Sequence, residues 1–265
     1  MRINSPIKIP MLLYHALFEG SANVEKYAIT MSEFERHIRY LSENGFRSIS
    51  LADFLSKHQP DDNKKNIIIT FDDGNYSDYS RAFPIVRKYG FVATFFVTVN
   101  RIGTDDYLDW HHLKEMIDHG MSIQSHSLNH SFLSDLSNEL LQKELNESKK
   151  ILEEKLAISI NFISLPGGFN SQRVLNAARD AGYKGVVSSC PGLNRRDREN
   201  GSPLFFRRFV ITRKTTPEEF IKIVHGDLLH ITKNRMLYFL KSFAKKVLGS
   251  QGYYMIWSKF FKYRI

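Results

Sequence analysis

Short apolar runs alternate along this chain with longer stretches that are apolar on only one helical face. The runs are rich in β-branched and aromatic residues, which is typical of buried strands, and they predict strands at 66–71, 91–99, 121–125, 161–165 and 184–188. Amphipathic spacing between these runs predicts helices at 82–88, 110–119, 136–156 and 171–181. The repeated order of strand, loop and helix favours an α/β fold with a barrel-like sheet and helices outside it.

Two further helices are marked by the residues at their first turns. Thr30 and Glu33 form a capping box before an amphipathic stretch, and Thr216 and Glu219 form another. Pro217 follows the second cap at the first helical position, where its missing N–H costs nothing. Both sites therefore predict a helix start.

Two adjacent carboxylates follow the first of these strands. Asp72 and Asp73 stand in the run Thr70–Gly74, directly after a buried apolar segment. Buried carboxylates are costly unless a cation or hydrogen-bond donors meet them, so the pair is a candidate for catalysis. An Asp-Asp-Gly sequence is also common turn chemistry, and the pair alone does not decide between the two.

A pair of histidines follows a later predicted strand. His126 and His130 are four residues apart, a spacing that predicts both imidazoles on one side of a helical turn, as metal ligands need. The alternative is that these two histidines are unrelated residues on the protein surface. Combined with the upstream carboxylates, the pattern favours a metal site with two histidines, one carboxylate and open positions for water.

Three motifs together resemble the polysaccharide deacetylase family, also called the NodB-homology or carbohydrate esterase family 4. They are TFDDG at 70–74, HSLNH at 126–130 and LPGG at 165–168, within a resemblance that runs from about residue 9 to 225. The resemblance implies a distorted (β/α) barrel and de-N-acetylation of N-acetylglucosamine in chitin-like glycans, peptidoglycan or exopolysaccharide. It also implies that Asp72 is the general base and that Asp73, His126 and His130 are the metal ligands.

The third motif departs from the family pattern. Ser164 stands where the family has an arginine that orients the base. Arg208, before an apolar run, resembles the arginine of the branch that acts on poly-N-acetylglucosamine, and a surface arginine is the alternative. Gly167 falls where a backbone N–H would face the oxyanion. We expect Pro166, Gly168 and Tyr14 to line the sugar site as well, although an aromatic residue at a strand end is more often core.

The general acid has two candidates. The family's usual C-terminal histidine motif is not clear here, and His225 is the residue that could fill it. In the poly-N-acetylglucosamine branch the acid is a histidine after an N-terminal strand-like run, and His15 ends such a run at 9–15. We favour His15, with His225 or neither as alternatives.

The chain has 265 residues and a net charge of +9, and the basic residues are unevenly distributed along it. Eight lysines and arginines but no acidic residue follow Asp227, and without those eight the chain has 29 basic and 28 acidic residues. We therefore predict a catalytic domain at 1–227 and a basic amphipathic tail at 228–265. Residues 233–265 suit peripheral contact with an anionic membrane, with packing on the barrel or a protein partner as alternatives, and nucleic acid is disfavoured.

The remaining composition limits the interpretation only a little. The one cysteine, Cys190, permits no intramolecular disulfide and is expected in the core. Without an apolar segment long enough for a signal or a membrane span, we expect a cytoplasmic protein, with association at the inner membrane surface as an extension of that expectation.

The sequence thus predicts a metal-dependent hydrolase that removes N-acetyl groups from amino sugars of a glycan or glycolipid precursor. Zinc is the expected metal, with cobalt, nickel or manganese as alternatives. Two other functions stay open: a metal amidase or deformylase of the same fold, and a non-catalytic glycan- or lipid-binding module. The missing motif arginine is the feature that favours the module.

Overall fold

Within the part of the chain that the structure describes, the strands form one large curled sheet and two small ones. The structure is a computed structural model that describes residues 8–20, 27–55, 64–168, 171–195, 204–240 and 242–243. Its strands are β1 (Lys8–Ile9), β2 (Met11–Tyr14), β3 (Leu17–Phe18), β4 (Ile29–Thr30), β5 (Phe46–Ser48), β6 (Lys65–Phe71), β7 (Thr94–Val97), β8 (Ser122–Ser125), β9 (Phe162–Ser164), β10 (Gly185–Val187), β11 (Asn194–Arg195), β12 (Leu204–Phe206) and β13 (Phe209–Val210).

The large sheet has nine parallel strands in the order β12-β10-β9-β8-β7-β6-β2-β13, with β5 also paired to β6. Its two outermost strands, β12 and β13, are separated by only Arg207 and Arg208 in the chain. So short a connection spans at most about 10 Å, so the two edges must approach one another. The sheet is therefore curled into a distorted barrel, as the sequence predicted.

Most helices cover the outside of this sheet, and one packs against its inner core. The helices are α1 (Met31–Glu43), α2 (Leu51–Leu55), α3 (Phe83–Lys88), α4 (Trp110–Asp118), α5 (Asn138–Leu156), α6 (Gln172–Asp180) and α7 (Pro217–Val224). Both predicted capping boxes are present, at Thr30 with Glu33 and at Thr216 with Glu219. Residues 228–240 are also helical. No helix within the described ranges is both long and apolar enough to cross a membrane.

Alternation along the strands separates an outer core from an inner one. The outer core joins the helices to the sheet and contains Leu12, Tyr14, Ile69 and Phe71. The inner core contains the residues of opposite parity, with Met11, Ile68, Phe96, Phe162, Val187 and Phe206 packed together with α2. Because side chains alternate along a strand, the next inward positions beyond this inner core belong to residues at the carboxyl ends of the strands.

The predicted strand at 91–99 is longer than the strand that the structure contains. Only Thr94–Val97 is a strand. Gly90 has φ 69° and the N–H of Phe91 donates to the carbonyl of Val86, so the chain is still closing the turn after α3 at this point. At the other end, Val99–Arg101 forms a short 3-10 turn. The apolar run is therefore longer than the strand, because the turns on both sides of the strand also contain buried apolar residues.

Candidate active site

The candidate site lies at the carboxyl ends of β6, β8 and β9 and at the seam between β12 and β13. Every second residue of a strand faces the inside of the curled sheet. Asp72 continues the inward-facing series of Ile68 and Thr70. In the same way Ser164 continues from Phe162, and Arg208 continues from Phe206. The apolar inner core therefore fills the lower part of the curled sheet, and polar side chains of the same parity stand above it. This position is where parallel α/β sheets build their sites.

Three predicted metal ligands converge at this end of the sheet. The ligand atoms of Asp73, His126 and His130 all lie within 4.8 Å of one another. Asp73 Oδ1 is 3.0 Å from His130 Nε2 and 3.4 Å from His126 Nε2. Ligands about 2.1 Å from a shared ion in tetrahedral geometry lie roughly 3.4 Å apart, so these separations fit one divalent cation.

Two details of the environment support the fit to a cation. Asp73 Oδ1 is buried and accepts no hydrogen bond of good geometry from the described residues, as expected of an oxygen that faces an ion. His126 Nδ1 lies 3.0 Å from the carbonyl oxygen of Ser164, which can only accept. The proton of the neutral ring is therefore on Nδ1, and Nε2 is free to ligate.

The two histidines lie in a loop, so the prediction that they share a helical turn was wrong. The segment after β8 is irregular, and Ser127 and His130 have φ values of 69° and 61°. Glu144 on α5 stabilises the loop by accepting hydrogen bonds from the backbone N–H groups of Leu128 and Asn129 at 2.9 and 3.0 Å. The spacing brings the rings together because the loop turns back on itself.

Asp72 is held by a buried arginine and a serine. Arg208 donates to Asp72 Oδ1 from Nη1 and to Oδ2 from Nη2, both at 2.7 Å. Ser164 Oγ donates to Asp72 Oδ2 at 2.9 Å and accepts from Arg208 Nη2 at 2.7 Å. Burial by itself would raise the pKa of Asp72, but Arg208, together with the charges of His126 and His15, outweighs it and holds the pKa below its ordinary value.

Arg208 thus provides the cation that the third motif lacks. Its side chain is fully buried, which excludes the surface alternative. Ser164, at the position of the missing arginine, bridges Arg208 and the carboxylate instead of leaving a gap. The sequence could not show this contact, because Arg208 and Asp72 are 136 residues apart.

His15 stands beside Asp72 on the neighbouring strand. Tyr14 is in register with Phe71, and the N–H of Asp72 donates to the carbonyl of Tyr14 at 3.1 Å, so the two chains run side by side into the site. Burial lowers the pKa of His15, although the charges of Asp73 and Asp72 act in the opposite direction. His15 Nδ1 is buried and has no hydrogen-bond partner among the described residues.

His225 lies at the other end of the sheet. It is the C-cap of α7, and its Nε2 shares a hydrogen bond of 3.1 Å with the hydroxyl of Tyr40. Its ring contacts Phe46, which pairs with Lys65 at the start of β6. The length of β6 separates that position from Asp72 by roughly 20 Å.

Tyr14 does not line the site, and this prediction was wrong. Its side chain is fully buried, stacks on Phe71 and meets Phe34 edge to face, and its hydroxyl lies 3.3 Å from His37 Nδ1. The physical reason is strand parity. Tyr14 faces the outer core, and His15, one residue later, has the parity of the inner positions.

The turn Pro166–Gly168 follows β9 beside Ser164. Gly167 is exposed and has φ 70° and ψ 0°, a conformation that glycine adopts without strain. Pro166 and Gly168 are buried, so the expectation that both contact substrate is corrected: they shape the turn. A Cβ on Gly168 would collide with the side chain of Ser189, which explains the need for glycine there.

One buried acid at the site was missed. Asp78 is fully buried, and neither of its carboxylate oxygens has a hydrogen-bond partner among the described residues. Burial raises the pKa of Asp78 well above its ordinary value, and the charges of Asp73 and Asp72 raise it further. In the sequence it resembles any acid on the first turn after a loop, and no pattern marks it as buried.

Comparison with known proteins agrees with this geometry. Residues 59–186 match the sequence model of the polysaccharide deacetylase family. YxkH of Bacillus subtilis (strain 168), which is named as a polysaccharide deacetylase, is 33% identical over 199 residues, covering 74% of this chain and 70% of YxkH. The poly-beta-1,6-N-acetyl-D-glucosamine N-deacetylase of Staphylococcus aureus is 29% identical over 182 residues, covering 63% of each chain.

Among solved structures, the Streptococcus pyogenes deacetylase PplD in complex with acetate is similar with a TM-score of 0.75 and 28% identity. The similarity covers 83% of this chain and 99% of that one. The curled parallel sheet described above is therefore a fold that a deacetylase of known structure shares.

Proposed function

The chain belongs to the polysaccharide deacetylase family, and we propose that it is a metal-dependent N-deacetylase acting on amino sugars of a glycan or glycolipid precursor. One observation carries the proposal. A cluster of Asp73, His126 and His130 that fits a single cation lies next to a buried, ionised Asp72 held by Arg208. A hydrolytic site that uses a metal-bound water needs this combination of a metal site and a base.

We assign the metal to Asp73, His126 and His130 and propose zinc, since two imidazoles and a carboxylate suit that ion. When bound there, the ion would lower the pKa of a water molecule and polarise the acetamide carbonyl. The hydrogen bond from His126 to Ser164 orients the ring for ligation.

Asp72 is the proposed general base. Its lowered pKa keeps it ionised at neutral pH, and the two hydrogen bonds from Arg208 fix the plane of its carboxylate. In the proposed step Asp72 takes a proton from the attacking water as the water oxygen bonds to the carbonyl carbon. The N–H of Gly167 donates to the oxyanion that forms.

His15 is the proposed general acid. The tetrahedral intermediate collapses when the C–N bond breaks, and the leaving nitrogen must receive a proton to depart as an amine. His15 follows the strand next to Asp72, and its protonated form, which the charges of Asp73 and Asp72 favour against the effect of burial, is the proposed donor. Acetate and a free amino sugar are the products.

The names of the relatives support the proposed substrate class. The staphylococcal relative is named for poly-beta-1,6-N-acetyl-D-glucosamine, which supports an N-acetylglucosamine glycan as substrate. The non-catalytic alternative loses its main support, because Arg208 supplies the cation whose absence from the third motif favoured it.

We also propose that the chain contacts an anionic membrane surface. The 228–240 helix exposes Leu228, Leu229, Phe239 and Leu240. The sequence from residue 228 onward adds eight basic and no acidic residues, a composition complementary to anionic lipid. Residue 241 and residues 244–265, where much of the predicted contact falls, lie outside the described residues.

The test of the catalytic proposal is acetate release from a panel of N-acetylated glycans, poly-N-acetylglucosamine and chitin oligomers included. Chelation should abolish release and zinc should restore it. Asp72→Asn should keep the metal content and lose roughly 100-fold or more in turnover, the usual scale of general-base removal. Wild-type turnover by Asp72→Asn, or full activity after verified metal removal, would contradict the proposal.

A further inference from the structure

The turn that carries Gly167 is held from two sides. On one side Ser189 lies directly behind Gly168, too close for any side chain there. On the other side the hydroxyl of Tyr238 donates a hydrogen bond of 2.9 Å to the carbonyl oxygen of Gly168. Tyr238 belongs to the 228–240 helix, 70 residues further along the chain.

This helix is itself anchored to the barrel. Ile231 is buried in the outer core. The Asp227 carboxylate caps the start of the helix by accepting from the N–H of His230 at 2.7 Å. Arg235 Nε donates to the carbonyl of Pro191 at 3.3 Å. Tyr238 is half-buried, whereas Leu237 and Phe239 on either side of it are exposed. Its hydroxyl is therefore presented from a fixed element.

A turn built from consecutive glycines needs such support. Gly167 and Gly168 both have positive φ, at 70° and 73°, and glycine has access to more backbone conformations than any other residue. Within the turn, the N–H of Gly168 donates to the carbonyl of Leu165 at 2.8 Å. The bond from Tyr238 fixes the peptide on the other side of Gly168 and so limits rotation of the whole turn.

We propose that Tyr238 is a positioning residue for the reaction: it holds the Gly167 N–H in the direction of the oxyanion through Gly168. The inference rests on the proposed function, since it presumes the oxyanion role of Gly167. It makes the 228–240 helix part of the catalytic unit. Oxyanion donors act only when their direction is fixed before the reaction, so loosening the turn should lower kcat more than it changes KM.

The test compares Tyr238→Phe with Tyr40→Phe. Tyr40→Phe is a matched control, because it removes a tyrosine hydroxyl that bonds His225 at the far end of the sheet. We expect Tyr238→Phe to lower kcat by about 3- to 30-fold, a part of the 100- to 1,000-fold cost of losing an oxyanion donor. KM and thermal stability should stay close to the wild-type values, and Tyr40→Phe should leave kcat unchanged.

A second measurement does not depend on activity. Hydrogen exchange of the peptide covering residues 165–168 should be faster in Tyr238→Phe than in the wild type and in Tyr40→Phe. Unchanged exchange together with unchanged kcat would overturn the inference, as would a fall in kcat explained by a matching loss of folded protein. If the wild type releases acetate from no glycan, the proposed function fails, and the exchange measurement still decides whether Tyr238 holds the turn.

Discussion

At the scale of single residues, the site depends on charges that neutralise one another out of contact with water. Arg208 is fully buried, and its guanidinium contacts Asp72, Ser164 and the carbonyl of Ser188, and lies over the ring of Phe96. Removing one member of such a pair leaves the other charge buried and uncompensated, which is among the costliest changes a core can suffer. The same contacts that prepare Asp72 for catalysis are therefore expected to stabilise the fold.

Arg208→Gln should lower the free energy of unfolding by about 3–5 kcal/mol, because it leaves Asp72 without its counter-ion. Urea unfolding at neutral pH measures the effect. Arg207→Gln is the control: the neighbouring arginine is partly exposed and makes no ion pair with Asp72, so its change should stay within about 1 kcal/mol. Equal losses in the two variants would contradict the assignment.

His15→Ala should reduce turnover by about 100- to 10,000-fold and leave the metal content unchanged, because the leaving nitrogen loses its proton donor. His225→Ala should have little effect, since His225 contacts Tyr40 and Phe46 at the opposite end of the sheet. Acetate release and metal analysis of both variants decide the matter. A large loss of turnover in His225→Ala but not in His15→Ala would instead identify His225 as the general acid, as in the family's usual C-terminal motif.

At the scale of elements, α1 and α7 meet through a stacked pair of rings. His37 on α1 and Phe220 on α7 have ring centroids 4.0 Å apart and planes inclined by 8°. Tyr14 on β2 also reaches His37, through its hydroxyl at 3.3 Å. Burial of this imidazole lowers its pKa from 6.5 to about 4. The packing of two helices on the sheet thus requires a neutral histidine.

This requirement gives the stability a pH dependence whose sign is fixed. Between pH 6.5 and about 4 the unfolded chain carries a proton on His37 that the folded protein lacks, so acidification favours unfolding. His37 should contribute up to about 1.4 kcal/mol of lost stability per pH unit in this window. In His37→Gln the unfolding free energy should therefore change less steeply with pH in this window. The difference in slope should reach up to about 1.4 kcal/mol per pH unit, which corresponds to one proton. An unchanged slope in His37→Gln would contradict this account.

At the scale of the whole molecule, exposed apolar side chains are concentrated near one end of the chain. Leu228 and Leu229 are 65% and 84% exposed, and Leu240 and Phe243 are 62% and 69% exposed. On the same helix Ile231 and Tyr238 face the barrel. One side of the 228–240 helix is therefore attached close to the proposed oxyanion donor, and the other presents apolar surface next to a basic sequence.

The membrane proposal predicts that the triple variant Leu229→Ser, Phe239→Ser, Leu240→Ser loses sedimentation with anionic phosphatidylglycerol vesicles. High salt should weaken binding of the intact protein, since basic residues contribute part of the attraction. Leu140→Ser on α5 is the matched control, because Leu140 is 52% exposed but does not belong to the 228–240 helix. Unchanged sedimentation of the triple variant would contradict the membrane proposal. A change in the oligomeric state of the triple variant would also contradict it, because the exposed apolar face would then be an interface between copies of the chain.

Much of this protein could be predicted from local sequence patterns, for identifiable reasons. The strand at β6 and the caps at Thr30 and Thr216 were found because alternation and hydrogen-bond caps act over a few residues. Asp73, His126 and His130 were grouped correctly because the carboxyl ends of parallel strands meet at one edge of a sheet. Their neighbour Asp78 was missed because burial leaves no local trace in a polar stretch.

The sequence by itself determined the alternation of strands and helices and the grouping of Asp73, His126 and His130 as a candidate metal site, since each depends on patterns within short segments. The role of Asp72 as base rests on the family resemblance and stays a proposal. Only the tertiary structure decided that Arg208 holds Asp72, that Tyr14 belongs to the outer core, and that Tyr238 reaches Gly168. These contacts join residues far apart in the chain or depend on which face a strand buries. Curling of the sheet creates them, because it brings its two edge strands, β12 and β13, to a common seam.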